Sequence, residues 1–186
     1  MQGGARLIQI RDKSRVSRVF LDSVVAAVSI ARPLGVKIIV NDRIDIALAA
    51  NADGVHLGQH DLPPDMARRL LGEQAIIGYS THTLNQAKEA RAMPINYIAL
   101  GPIFPTKSKE NPDPIVGTAE LAFVRNVIGS IPLVAIGGIT AENLLSVFAA
   151  GADSAAIIGA LVAEPGLISE RMAELKRKAD AFIQTY

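Results

Sequence analysis

The sequence has no cysteine. That excludes disulfides, zinc–thiolate sites and iron–sulfur clusters, and it suits a reducing compartment, with the cytoplasm as the expected location. Tryptophan is also missing and aromatics make up only 4% of residues, so Ile, Val, Leu and Ala must fill the core. Neither sign of charge dominates: 19 Lys and Arg stand against 18 Asp and Glu, a formal net charge of +1. That balance argues against a protein held to nucleic acid or a membrane surface by bulk charge, and any anion site must be built locally. No apolar run approaches the ~18 residues of a membrane span. Arg6 and Arg11 interrupt the apolar start of "MQGGARLIQIRDK", so no signal peptide is expected. What is present is a globular composition, 49% hydrophobic and 20% charged over 186 residues. That length suits one domain, residues 1–186, by the usual rule of roughly 100–200 residues per domain.

Short β-branched runs alternate with helical patterns. Strands are expected at 6–10, 36–40, 54–57, 75–79, 96–100, 132–136 and 154–159, and helices near 15–32, 43–50, 64–71, 83–92, 118–128, 140–149 and 166–183. The last helix carries an apolar stripe at Leu167, Ile168, Met172, Leu175, Ala179, Phe182 and Ile183. Strict alternation implies parallel pairing, with helices covering both faces of the strands. Polar residues follow nearly every strand at its C-terminal end, which favours a (β/α)8 TIM barrel over an open doubly wound sheet. About seven strands are present where such a barrel has eight. The Gly-rich strands that usually come seventh and eighth are the last two, so the missing βα unit is expected to be the first. The Gly-Gly of "MQGGA" reads as the end of that absent helix. Unpaired strand edges would result, and they make a homo-oligomer a reasonable expectation. No repeat array is apparent.

Asp42 and Asp61 stand at the ends of adjacent strands, which in a parallel sheet lie ~4.8 Å apart. Two carboxylates so placed can share a metal, and oxygen donors without cysteine suit Mg²⁺. The competing explanation is that each caps the helix that follows. Gln9, Arg11 and Lys13 alternate off the first strand end, so all three point to one side, a sound arrangement for a diphosphate. A solvated face is the alternative there. The stretch "GPIFPTKSKENPDPIVG" (101–117) has no regular pattern, and Thr106, Lys107, Ser108 and Lys109 suit closure over an anion. In "AIGGITAEN", Gly137 and Gly138 let backbone N–H groups approach a phosphate and Thr140 can cap the next helix. Gly159 offers a second such turn, the pair forming the phosphate cradle common to these barrels. Tight turns alone would also explain the glycines. Of the histidines, His56 reads as structural, and His82 lies near the polar face, where it could donate a hydrogen bond. Together these residues suggest a transferase that joins two phosphorylated substrates, with diphosphate leaving.

The motifs "QIRDK", "VNDRIDIALAANADGVHLGQHDLP", "IIGYSTHTLNQA", "YIALGPIFPTKSK" and "VAIGGIT" closely resemble the thiamine-phosphate synthase family, in its order and to about residue 160. The resemblance implies a (β/α)8 barrel that couples hydroxymethylpyrimidine diphosphate to a thiazole phosphate, giving thiamine phosphate and diphosphate, with Mg²⁺ bound. Diphosphate would leave first, and the thiazole nitrogen would attack the resulting cation. Carried over by motif, Gln9, Arg11, Lys13 and Asn41 would hold the pyrimidine diphosphate, Asp42 and Asp61 the Mg²⁺, and Ser80 and Lys109 the diphosphate side. Thr106, Ser108, Gly138, Ile158 and Gly159 would hold the thiazole phosphate. Arg11, Lys13, Ser80 and Lys109 would be catalytic. The family usually has Ser where this chain has Gly159. Two rivals stay open. One is a related thiazole tautomerase, which shares the fold and keeps a His at the position of His82 but needs no diphosphate set. The other is a shortened barrel that binds phosphates without turnover.

Overall fold

The computed structural model describes residues 1–13, 16–106 and 113–184. The chain forms two compact units. The first consists of Met1, Ala5–Tyr79 and Met93–Asn96, and the second of Gln2–Gly4, Ser80–Ala92 and the chain from Tyr97 onward. The fold is α/β with seven parallel strands. Among the described residues no helix is long and apolar enough to cross a membrane.

In the first unit, β1 (Leu7–Ile10), β2 (Lys37–Asn41), β3 (Gly54–Leu57) and β4 (Ile76–Thr81, here Ile76–Tyr79) pair in chain order and in parallel, with Ile8 beside Ile38, Val40 beside Val55 and Val55 beside Ile77. Their connections are α1 (Ser17–Ala31), α2 (Ile44–Ala49) and α3 (Pro64–Leu71). Ile38, Ile39 and Val40 are consecutive and all buried, which requires cover on both faces of the strand. Helix α1 supplies part of that cover through Phe20, Val24, Val28 and Ala31, one stripe at helical spacing. Phe20, Val24 and Val28 each contribute about 1.5–3 kcal/mol by leaving water.

In the second unit, β5 (Tyr97–Leu100), β6 (Leu133–Ile136) and β7 (Ser154–Ala156) pair in parallel, with Ala99 beside Val134 and Ala135 beside Ala155. Helices α4 (Leu84–Ala90), α5 (Gly117–Ile128), α6 (Leu144–Ala149), α7 (Gly159–Val162) and α8 (Ile168–Ile183) complete it. The end of β4 belongs here too: Thr81 is buried and its Oγ1 donates to Ala99 O at 3.1 Å.

Two expectations need correction, and the apolar stripe on α8 is largely left uncovered. Strand β7 stops at Ala156, because a helical turn begins at once, with Leu161 and Val162 N–H both donating to Ile158 O. Helix α6 begins at Leu144, four residues late, and Thr140 does not cap it. Local bonds hold the intervening turn instead: Thr140 N donates to Asn143 Oδ1 at 2.8 Å and Glu142 N to Thr140 Oγ1 at 3.3 Å, the competition with helix typical of these residues. Of the stripe on α8 only Leu175 is buried, while Ile183 is 59% exposed.

The structure also reveals a repeat that is inconspicuous in sequence. "AANAD" (49–53) and "AAGAD" (149–153) close α2 and α6 in the same way. The left-handed residue is Asn51 (φ 50) in one and Gly151 (φ 93) in the other, and Ala52 N donates to Ala47 O as Ala152 N does to Val147 O. Each aspartate then clamps the preceding strand. Asp53 Oδ2 accepts from Ile38 N at 2.8 Å and Asp153 Oδ2 from Leu133 N at 2.7 Å, and the aspartates' own N–H groups return to Ile38 O and Leu133 O. Asn96 does the same to Ile77, its Oδ1 accepting from Ile77 N at 2.8 Å. A cation braces each clamp: Lys37 on Asp53, Arg125 on Asp153 and Arg68 on Asn96.

A stability prediction follows from Asp53. Asp53→Ala leaves the part-buried Ile38 N–H without its acceptor and should cost about 1–3 kcal/mol. Asp53→Asn should cost less, since the chain itself uses Asn at the third clamp. Burial opposes ionisation of Asp53, but the Lys37 and Ile38 hydrogen bonds more than offset it and hold the carboxyl below 3.8. A lowered folded pKa contributes stability that is full above the unfolded value and is lost as pH falls through the folded one. Melting curves from pH 7 to pH 3 should therefore show a shallower acid decline in Asp53→Asn; an identical decline would remove the clamp carboxylate from the balance.

Candidate functional site

In the first unit the site residues gather where β1, β2 and β3 end. Gln9 lies in β1, half-buried, with Arg11 exposed just beyond it. Asn41 closes β2 opposite His56 of β3. The next residue, Asp42, has φ 63, a left-handed conformation that non-glycine residues rarely hold and that Asp tolerates better than most. Its N–H donates to His56 O at 2.9 Å. The capping explanation fails: the N-cap residues of α2 and α3 are Arg43 and Pro63, neither with a side-chain cap bond. Asp61 instead accepts from Gly58 N through Oδ2 at 2.6 Å.

The chain brings Lys13, Asp42 and Asp61 together. Lys13 Nζ lies 3.4 Å from Asp42 Oδ2. The Asp61 carboxyl is raised above its ordinary value, first by burial and further by the neighbouring Asp42 carboxylate, against the opposing pull of Gly58 N–H and Lys13. Two carboxylates against one half-solvated ammonium leave negative charge uncompensated, and a divalent cation would relieve it. Among the described residues no group of three or more His, Asp or Glu could hold a metal. Carboxylates as a pair, completed by water and substrate phosphate oxygens, match the habit of Mg²⁺.

Arg43 and Asp45, which carry charge in the same stretch, are spent on each other. Arg43 grips Asp45 with two nitrogens and reaches Ser17 Oγ at 3.1 Å. Their hydrogen bond raises the Arg43 pKa and lowers that of Asp45. They anchor the start of α2 to α1 and supply no open charge.

In the second unit, Gly137 (φ 96) and Gly138 (φ 66) follow β6. A side-chain carbon would sit 2.6 Å from Pro102 Cα at Gly137, and 2.4 Å from Pro105 O at Gly138. Both glycines are thus required by conformation and by contact, and Gly138 lies directly against the residues that lead into Thr106. Phe104 N donates to Gly137 O at 3.1 Å. Asn143 Nδ2 holds Gly138 O at 3.0 Å, a role the sequence shows only as polar residues in "TAEN". Ile158 and Gly159 follow β7, the strand paired with β6. Gly159 differs from the other two: its φ is not positive, and a side-chain carbon there would meet nothing within 4 Å. The tight-turn explanation therefore holds for Gly137 and Gly138 and fails for Gly159. Ser80 is half-buried at the end of β4. Lys107, Ser108 and Lys109 lie outside the described residues.

The thiamine monophosphate synthase family profile matches residues 1–161. The thiamine-phosphate synthase of Syntrophomonas wolfei is 45% identical over 87% of this chain and 77% of its own length. That of Koribacter versatilis is 48% identical over 88% of this chain and 76% of its own. Among solved structures, thiamine phosphate pyrophosphorylase from Pyrococcus furiosus superposes with a TM-score of 0.87 at 31% identity, over 97% of this chain and 86% of that one. With the paired aspartates beside Lys13 and the double-glycine turn against the Thr106 segment, these matches show that the chain belongs to the thiamine monophosphate synthase family.

Proposed function

We propose that the chain couples hydroxymethylpyrimidine diphosphate to a thiazole phosphate, releasing diphosphate and forming thiamine phosphate. The observation that carries this reading is the Lys13–Asp42–Asp61 cluster, whose uncompensated carboxylates suit Mg²⁺ and, through it, a diphosphate. When bound, Mg²⁺ would neutralise charge building on the leaving diphosphate. Asp42 and Asp61 would hold the ion, and Lys13 with Arg11 would grip the diphosphate oxygens as point charge and fork. Gln9 and Asn41 would orient the pyrimidine end. Ser80 and Lys109 are assigned to the diphosphate by motif alone. Thr106, Ser108, Gly138 and the Ile158–Gly159 turn would hold the thiazole phosphate. No general base is needed, because the thiazole nitrogen attacks through its lone pair and has no proton to lose, and no general acid is needed, because diphosphate leaves as an anion with the bonding pair. The donors are in place beforehand and strengthen as its charge develops. We also read the seven parallel strands as seven of the eight in a (β/α)8 barrel.

The test is direct. The purified chain, mixed with both substrates and Mg²⁺, should release diphosphate and form thiamine phosphate, and chelation with EDTA should abolish both. Thiazole isomerisation without diphosphate release would overturn the reading.

A second expectation concerns Gly159. Because the position is open, Gly159→Ser should fold without strain and restore a hydroxyl toward the thiazole phosphate. A hydrogen bond to a charged group contributes about 1.5–3 kcal/mol, so the KM for the thiazole phosphate should fall roughly tenfold or more, with the melting temperature unchanged. An unaltered KM would place this turn away from the phosphate.

A further inference from the structure

We propose that His82 is a positioning residue: it ties the two described arms of the segment between β5 and α5 and so holds Thr106 in place for the thiazole phosphate. The proposal rests on the assignment of Thr106 given above. His82 directly follows β4. Its Nδ1 lies 2.6 Å from Gly101 O, at the root of the first arm, and 3.5 Å from Asp113 Oδ2, on the second. A carbonyl oxygen only accepts, so Nδ1 must carry the proton, and a neutral ring then keeps its lone pair on Nε2.

The surroundings keep the ring in place. His82 N donates to Gln86 Oε1 at 2.7 Å, and Gly101 N donates to Thr81 O at 3.2 Å. The first arm runs from there against the β6 end, with Ile103 N on Ile136 O at 2.9 Å and Phe104 N on Gly137 O at 3.1 Å. Ile103 is fully buried, and Phe104 and Pro105 abut Gly138. The second arm closes on the first through Val116 N and Pro102 O at 2.8 Å. The imidazole is thus a side chain, from outside the segment, that reaches both arms. Without it, buried Gly101 O loses its donor and Asp113 loses a neighbour of complementary polarity. The arm that ends at Thr106 then has its backbone bonds to β6 but a loosened root.

Three full-length variants separate this role from others. An asparagine amide places its N–H near the position of Nδ1, and a glutamine amide places its own near Nε2. His82→Ala should raise the KM for the thiazole phosphate about tenfold while leaving that for the pyrimidine diphosphate within about twofold. His82→Asn should recover most of the loss and His82→Gln should not. Recovery by Gln and not Asn would mean that His82 acts through Nε2, and would overturn the proposal. So would an unchanged thiazole-phosphate KM in His82→Ala, or equal losses for both substrates. Should His82→Ala fail to fold, the contrast between Asn and Gln decides alone. Wild-type chain that forms no thiamine phosphate would refute the functional reading separately. In that case amide exchange at Ile103 and Phe104 tests the clasp: faster in His82→Ala and restored in His82→Asn supports it, and unchanged rates overturn it.

Discussion

Asp42→Asn is expected to lower kcat/KM by about a hundredfold or more while the melting temperature in the absence of Mg²⁺ stays level or rises. The two halves of this result have separate causes. Asparagine tolerates a φ of 63 as aspartate does, so the turn survives. The ion pair lost is to a Lys13 side chain that is 64% exposed, and such pairs contribute about 0–1 kcal/mol. Against that, the neutral amide removes a like charge from beside Asp61, whose pKa is raised first by burial and further by the Asp42 carboxylate. The two effects offset within about 1 kcal/mol. The metal reading, however, loses one of its two carboxylate ligands, which leaves Mg²⁺ only Asp61, water and the substrate phosphates. Steady-state turnover at saturating Mg²⁺, with a calorimetric scan of the same samples, checks both halves. Turnover like the parent's would end the metal role of Asp42. A sharp fall in melting temperature would show that the carboxylate serves the fold instead, a division of labour opposite to that expected where activity is bought with stability.

Gly138→Ala is the second large effect, and here fold and site fail together. The left-handed φ of 66 costs an alanine about 1–2 kcal/mol. The added carbon would lie 2.4 Å from Pro105 O and 2.8 Å from Phe104 Cβ, and relieving such overpacking costs about 1–3 kcal/mol more. For a chain of this size the sum corresponds to a drop in melting temperature of roughly 5–15 °C. The only way out is for the Phe104–Pro105 backbone to move, which carries Thr106 with it, so the KM for the thiazole phosphate should rise as well. A variant that keeps both melting temperature and KM would show that this segment yields freely. Gly159→Ser is the internal contrast: the same residue type, in the adjacent strand's turn, with empty space where Gly138 has backbone.

Much of the fold was legible because the parallel-strand pattern is local. β3 and α3 fall where the apolar runs and the Pro-Pro boundary put them, Gly54–Leu57 and Pro64–Leu71. The other strand and helix ends shift mostly by a residue or two. The failures share a cause. Asp42 and Asp61 have the right identity for helix caps, yet capping depends on the backbone of the turn, and at Asp42 that backbone is left-handed. In "SAAIIG" the strand formers are Ile157 and Ile158, but the strand ends at Ala156 and the helical turn over Ile158 captures the second half. The α8 stripe has sound periodicity, and periodicity carries no information about what packs against it.

The sequence by itself determined the alternating strands and helices, the residues proposed for a phosphate and metal site, and, through its motifs, the family. These depend on residue type and spacing, and both are visible in one dimension. Only the tertiary structure removed helix capping as the role of the aspartates, paired Arg43 with Asp45, and separated the two obligatory glycines from the open one. It also placed His82 across two arms of one segment. Each of these turns on a backbone angle or on a contact between residues remote in the chain. Such contacts form only once the buried strands have set where their ends lie.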